Sequence, residues 1–149
     1  MTEPKVNPIG VASQIDAPTT CIIGDVAFFH DSNGLLWSRE ADAAVVFVVI
    51  DNDGGGIFHM LPIADHEPAF TRFFATPHGI DPLHLAAMHG LRYEEANAGQ
   101  VGSALAACHA SRGSAILRVR TDRTDNHARH VAVREAVARS VRDALGQRL

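Results

Sequence analysis

The chain has 149 residues, 46% of them apolar and 20% charged, and its 13 lysines and arginines against 17 aspartates and glutamates leave a formal net charge of −4. That balance describes one soluble globular domain and speaks against a nucleic-acid binder, which needs a basic excess on one face. The longest apolar run, Ala43 to Ile50, is too short to cross a bilayer, and MTEPKVNPIG lacks the layout of a signal peptide, so a cytoplasmic location is expected. Cys21 and Cys108, with no CxxC between them, are expected to be small buried residues rather than parts of a disulfide framework or zinc finger.

In chain order, Met1 to Pro18 (1–18) carries Pro4, Pro8, Gly10 and Pro18 and is expected to be a lead-in with a short helical piece around Val11 to Ile15; residues 19–149 form the domain. Thr19 to Ile23 is a short β-prone run that stops at Gly24-Asp25. Ala43 to Ile50 is a longer one without polar alternation, which suits a central parallel strand covered on both faces and stops at Asp51-Asn52. Asp31 to Glu40 between them is expected to supply a crossover helix, completing a βαβ unit. A helix is expected near Ile57 and another around Ala69 to Phe74. Pro82 to His89 reads as a helix with Asp81 at its N-cap and Gly90 at its end.

Leu91 to Tyr93 then reads as a short strand, Asn97 to Ser111 as a helix with Val101, Leu105 and Cys108 at helical spacing, and Ser114 to Arg120 as an alternating strand with Ile116 inward. In the tail from Asp125, Val133, Val137, Val141 and Leu145 recur at i+4 steps and are expected to dock one helix face. Strand-helix alternation predicts an α/β domain: three layers, a mainly parallel sheet with helices on both faces.

In open α/β sheets, ligands bind beyond the carboxyl ends of the strands. Two such ends are readable here, at Gly24-Asp25 and at Asp51-Asn52-Asp53-Gly54-Gly55-Gly56, with Asp25 and Asn52 separated by 27 positions. That interval accommodates a loop, a helix, a second loop and one strand, which places both residues at one sheet edge. A carboxylate, an amide oxygen and a nearby backbone carbonyl are hard oxygen ligands suited to Mg²⁺ completed by phosphate oxygens and water, while the glycines let backbone approach a diphosphate. Spacing alone equally describes ordinary turn chemistry after a strand. Neither GxGxxG after a strand nor GxxxxGK[ST] is present.

The segments GDVAFFHDSNGLLW, VVFVVIDNDGGGIFHMLP and FFATPHGIDPLHLAAMHGLRY together are more specific. The first two resemble the thiamine-diphosphate signature, which opens with Gly-Asp and closes with an Asn-containing turn after a hydrophobic strand. Within that superfamily HDSNGLL, GGGIFHMLP and TPHGID resemble the C-terminal part of the MenD family, the 2-succinyl-5-enolpyruvyl-6-hydroxy-3-cyclohexene-1-carboxylate synthases of menaquinone biosynthesis, from about Ile9 to the C-terminus.

The resemblance implies thiamine diphosphate and Mg²⁺ as cofactors, with Asp25 and Asn52 binding the metal by side chain and Gly54 by its carbonyl oxygen. It further implies that Gly24, Val26 and Gly55 line the diphosphate through backbone, and that Ile57, Phe58 and Leu61 stand beside the thiazolium and the isochorismate ring. Val26 and Ala27 stand where the family often has Gly or Ser, and Asp51 where many relatives have a second Asn.

The implied reaction is decarboxylation of 2-oxoglutarate on the cofactor and addition of the resulting succinyl-aldehyde unit to isochorismate. The family's activating glutamate comes from a separate pyrimidine-binding domain of a partner chain. The chain would enter the cofactor fold about one helix before Thr19, as if truncated at its N-terminus, and no catalytic residue is assigned to it. Low activity in isolation is therefore expected, with a missing pyrimidine-binding domain or a homo-oligomer partner completing the site. A small subunit of a split thiamine-diphosphate 2-oxoacid decarboxylase and a non-catalytic remnant are the rival readings. Of the nine histidines, the pairs His84/His89 and His127/His130 lack metal-ligand spacing, and His30, five residues beyond the metal acid, is the candidate pocket liner. Arg129, Arg134, Arg139, Arg142 and Arg148 are read as a solvated basic face of the last helix.

Overall fold

The computed structural model describes residues 8–39 and 44–146. The first part of the lead-in (residues 1–7), Glu40 at the end of the crossover, Ala43 at the start of the long apolar run, and Arg148 in the tail lie outside the described residues. The chain divides into two compact units, Met1–Gly54 with His78–Thr121, and Gly55–Pro77 with Asp122–Leu149.

The first unit is built on a four-stranded sheet of β1 (Thr19–Gly24), β2 (Val45–Asp51), β3 (Arg92–Ala96) and β4 (Ala115–Arg120), in the order β1-β2-β4-β3. Every neighbouring pair is parallel. Gly24 lies opposite Ile50, and Asp51 opposite Arg120, so the carboxyl ends of the strands open at one edge. On one face, α1 (Pro8–Ala12), α2 (Asp25–His30) and α3 (Leu83–His89) contribute Ile9, Phe28 and Ala86 to a core with Val45, Val49 and Ile116. On the other, α4 (Val101–Ala110) brings Cys108 against Val46, Val48 and Leu117. Helices on both faces of a parallel sheet make the three-layer α/β architecture expected from the sequence. Val45, Val49, Ile116 and Leu117 are wholly enclosed, and each such side chain contributes about 1.5–3 kcal/mol of hydrophobic stabilisation.

Several local expectations are corrected. The first helix runs over Pro8–Ala12 rather than Val11 to Ile15. The crossover after β1 is not one helix over Asp31 to Glu40. The helix α2 begins at Asp25 itself and ends at His30, and a 3₁₀ segment follows over Ser32–Arg39. Asn33 and Gly34 lie inside this 3₁₀ segment. The strand after α3 starts at Arg92 and reaches Ala96. β4 does not alternate: Ala115 to Val119 are all buried, because the strand lies between β2 and β3 with helices above and below. The α3 boundaries follow the expected punctuation, with Asp81 Oδ1 accepting from the Leu83 amide at 2.9 Å and Gly90 ending the helix at φ 64°.

In the second unit, 3₁₀ turns at Gly56–Met60 and Pro62–Asp65 stand where a helix was expected near Ile57, and the short helix expected around Ala69 to Phe74 is present, taking π geometry over Thr71–Ala75. The long helix α5 (Arg123–Gly146) starts where Asp122 Oδ1 accepts the Thr124 and Asp125 amides, both at 2.8 Å. Its valine-leucine stripe is not docked: Val133, Val137, Val141 and Leu145 are 50–61% exposed. A step of four residues on a helix of 3.6 residues per turn advances about 40°, so the series winds round the helix instead of holding one face.

Candidate functional site

The site grows from the aligned ends of β1 and β2. Gly24, in extended conformation (φ −76°, ψ 156°), turns the chain from β1 straight into α2, so Asp25 is the first residue of that helix and is only 2% exposed. Across from it, the chain leaving β2 passes through two positive-φ residues, Asp53 at 60° and Gly54 at 128°. The second is a conformation that side chains avoid. The turn aims backbone N–H groups at Asp25: Oδ2 accepts from Asn52 at 3.2 Å and from Gly54 at 2.9 Å, while Oδ1 accepts from Val26 at 2.7 Å. Asp25 and Asn52 thus stand side by side at the sheet edge.

Burial pushes the Asp25 carboxyl up, but hydrogen bonds from Gly54, Val26 and His78 hold it below the ordinary carboxylate value. It is an ionised, hydrogen-bonded acid in a buried place. Beside it, Asn52 Oδ1 is buried without a hydrogen-bond partner among the described residues. A buried amide oxygen without a donor costs stability, and its orphaned state beside an ionised carboxylate is what a cation ligand requires. An all-oxygen donor set of this kind fits Mg²⁺.

Two groups that sequence reasoning did not place complete the edge. His78, in TPHGID, puts Nε2 3.2 Å from Asp25 Oδ2, and Asp25, Asp51 and His78 offer ligand atoms within 4.8 Å of one another. Arg118, in β4, is 7% exposed and clamps Asp51, with Nε and Nη2 both 2.7 Å from Oδ2. Its Nη1 reaches Asp81 Oδ2 at 2.8 Å, and Asp81 Oδ1 in turn accepts from Tyr93 at 3.2 Å. Burial alone would lower the Arg118 guanidinium, but Tyr93 and Asp51 hold it raised. Asp51 Oδ1 accepts from the Asp53 amide at 3.0 Å, and Asp53 Oδ1 accepts from His78 and Gly79 at 3.1 and 2.8 Å. A polar cavity of about 320 Å³ opens here between Asn52, Asp53, Ile80 and Arg118. The sequence carried one sign of Arg118, a charge within the apolar run SAILRVR.

Residues 7–119 match the model of the thiamine pyrophosphate enzyme, C-terminal TPP binding domain. The chain belongs to this family. Among relatives, it is 43% identical over 129 residues to the 2-succinyl-5-enolpyruvyl-6-hydroxy-3-cyclohexene-1-carboxylate synthase of Roseiflexus castenholzii, a match covering 85% of this chain and 22% of that protein. The synthase of the same name from Salinibacter ruber is 43% identical over 135 residues, 90% of this chain and again 22% of the relative. The chain therefore spans under a quarter of the length of these relatives.

The benzoylformate decarboxylase of Polynucleobacter necessarius superposes with a TM-score of 0.66 at 18% identity, covering 78% of this chain and 23% of that one. A thiamine diphosphate-dependent 4-hydroxybenzoylformate decarboxylase of Rhodococcus jostii gives 0.65 at 23% identity, with 77% and 22% covered. These two establish the fold. The TPP-binding domain has no helix, among the described residues, long and apolar enough to cross a membrane.

The remaining expected site residues of this TPP-binding domain fall in different settings. Gly24 has open space where a Cβ would sit. The Val26 amide is engaged by Asp25, and its side chain is 48% exposed. In the second unit, the Gly55 amide donates to Ala75 O at 2.8 Å and its carbonyl accepts from Phe58 at 3.0 Å. A Cβ on Gly55 would collide with the Phe74 carbonyl and the Phe58 ring, so close packing accounts for this glycine. Ile57 and Leu61 are exposed at 70% and 48%, and Phe58 packs edge-on against Phe74 at 5.8 Å. His30 is exposed and pairs with Asp31 at 3.0 Å, at the rim of an apolar cavity that includes Cys21 and Phe47.

Proposed function

We propose that this chain is the thiamine-diphosphate- and Mg²⁺-binding part of a MenD-like synthase, acting on 2-oxoglutarate and isochorismate. The observation that carries the metal part is the orphaned Asn52 Oδ1 beside the ionised Asp25. Asp25, Asn52 and the Gly54 carbonyl would hold the metal, and the open backbone at Gly24 leaves room for a diphosphate at the strand ends. Thiamine diphosphate supplies the electron sink for decarboxylation, and the protein supplies position and electrostatics. Asp25 supplies fixed negative charge, Asn52 a neutral oxygen, and the 53–54 turn keeps both in place. Ile57, Phe58 and Leu61 present exposed apolar surface suited to a thiazolium and an apolar ring face. Synthase activity is assigned to the assembly that this chain forms with a pyrimidine-binding domain, in the cytoplasm.

Calorimetric titration of the full chain with thiamine diphosphate, with and without Mg²⁺, tests the reading. Asn52→Ala is the informative variant, because Asn52 Oδ1 has no partner to lose whereas Asp25 accepts several hydrogen bonds. The expected result is Mg²⁺-dependent binding weakened at least tenfold in Asn52→Ala, with a urea midpoint no lower than the parent's. Binding indifferent to Mg²⁺, or equal in the two proteins, refutes it and favours a non-catalytic remnant.

A further inference from the structure

His78 offers a nitrogen to a cluster of two carboxylates. An imidazole in such a group commonly ligates a borderline metal such as Zn²⁺ or Ni²⁺. Its surroundings decide otherwise. The Ile80 backbone N–H lies 3.0 Å from His78 Nδ1. A backbone amide can only donate, so Nδ1 is the acceptor and carries no proton. The proton of the neutral ring then sits on Nε2, and Nε2–H donates to Asp25 Oδ2 at 3.2 Å.

Three further contacts hold the ring and its backbone. The His78 amide donates to Asp53 Oδ1 at 3.1 Å, the Gly79 amide donates to the same oxygen at 2.8 Å, and the Phe29 ring meets the imidazole edge-on with centroids 5.0 Å apart. The side chain is 15% exposed. Counting acceptors at Asp25, Oδ2 receives the Asn52 and Gly54 amides and His78, while Oδ1 receives only the Val26 amide. An ionised carboxylate has about four lone-pair sites, two on each oxygen, so Oδ2 is saturated and Oδ1 keeps an open position.

We infer that His78 is a positioning residue for the metal acid: locked by the Ile80 amide as the Nε2–H tautomer, it ties Asp25 Oδ2 to the protein, leaves Oδ1 for the cation, and is itself withheld from ligation, so that the donor set at the site stays all-oxygen. The inference rests on the proposed Mg²⁺ and thiamine diphosphate binding and assigns a role within it. Partners that orient a ligating group are worth about 10–100-fold in metal affinity.

The test joins a spectrum to a titration, both on the full chain. Long-range ¹H–¹⁵N correlation of the histidine side chains, with His78→Gln identifying the resonance, is expected to show a neutral Nε2–H ring that keeps this proton when Mg²⁺ and thiamine diphosphate are added. Mg²⁺ titration in the presence of thiamine diphosphate is expected to weaken 10–100-fold in His78→Ala and to recover to within about threefold in His78→Gln, whose amide can donate in place of Nε2–H. A Nδ1–H ring, loss of the Nε2 proton on adding Mg²⁺, unchanged affinity in His78→Ala, or no recovery in His78→Gln each overturns the inference while the cofactor reading stands. Absence of Mg²⁺-dependent binding in the parent chain overturns both.

Discussion

Replacing Arg118 by methionine probes the strongest electrostatic commitment of the fold. Arg118 and Asp51 are 7% and 5% exposed, and two guanidinium nitrogens sit 2.7 Å from one carboxylate oxygen. Methionine keeps most of the volume, so the loss is electrostatic. Removing one partner of a buried pair leaves an uncompensated charge and costs about 3–5 kcal/mol. That is a large part of the roughly 5–15 kcal/mol stability of a typical domain. At about 2–4 °C per kcal/mol for a chain of this size, melting should fall by roughly 10 °C.

Removing both charges is a different perturbation. In Asp51→Asn/Arg118→Met, the amide oxygen can still accept from the Asp53 amide. Asp81, whose side chain is 39% exposed, can turn to water. The double variant should lie within about 1–2 kcal/mol of the parent, since replacing a whole buried pair by neutral groups is often nearly neutral. Urea unfolding of the four proteins followed by circular dichroism gives the cycle. A loss under about 1 kcal/mol in Arg118→Met, or a double variant as unstable as the sum of the singles to within about 0.5 kcal/mol, would refute the pairing argument.

Two further outcomes follow from the site. Gly54→Ala, at φ 128°, should cost about 1–3 kcal/mol in urea unfolding, whereas Gly24→Ala, in ordinary extended conformation with nothing near its Cβ, should cost under about 1 kcal/mol; equal costs would contradict the turn geometry. Tyr93 is the only tyrosine, so phenolate absorbance reports it alone. Burial, with Asp81 nearby, raises it from 10.0 to about 12. Because the folded value is the higher one, its contribution to stability is complete below pH 10.0 and is lost as pH climbs through about 12. A native titration midpoint near 12, moving to near 10 in urea, is expected, and one midpoint under both conditions would count against it.

How much of this was legible in the sequence depends on how far apart in the chain the interacting groups lie. Gly24-Asp25 and Asp51-Asn52 each follow a β-prone run, so strand ends, parallel order and the meeting of Asp25 with Asn52 could be argued from local pattern and spacing. Asp81 and Gly90 bracket α3 for equally local reasons. The stripe on α5 misled because a repeat of four was read as a face, when the helical period is 3.6. His78 and Arg118 were out of reach: His78 meets Asp25 from an irregular segment far along the chain, and the partner of Arg118 is fixed by sheet order. β4 lies next to β2 despite the strand between them in sequence, and only that adjacency brings Arg118 to Asp51.

That adjacency also changes the meaning of Asp51. From the sequence it is an acid where the resemblance leads one to expect a second amide. In the folded chain its carboxylate comes within 4.8 Å of Asp25, where two like charges repel by about 3.5 kcal/mol at an effective dielectric of about 20. An uncompensated acid at position 51 would therefore oppose the charge on Asp25 at the strand ends. Arg118 removes that penalty from the β4 side, while the Gly54 and Val26 amides and His78 stabilise the charge on Asp25. The buried arginine at 118 thus answers the acid at 51 while it also pairs with Asp81, and Asp25 is left to act as the ionised ligand at the strand ends.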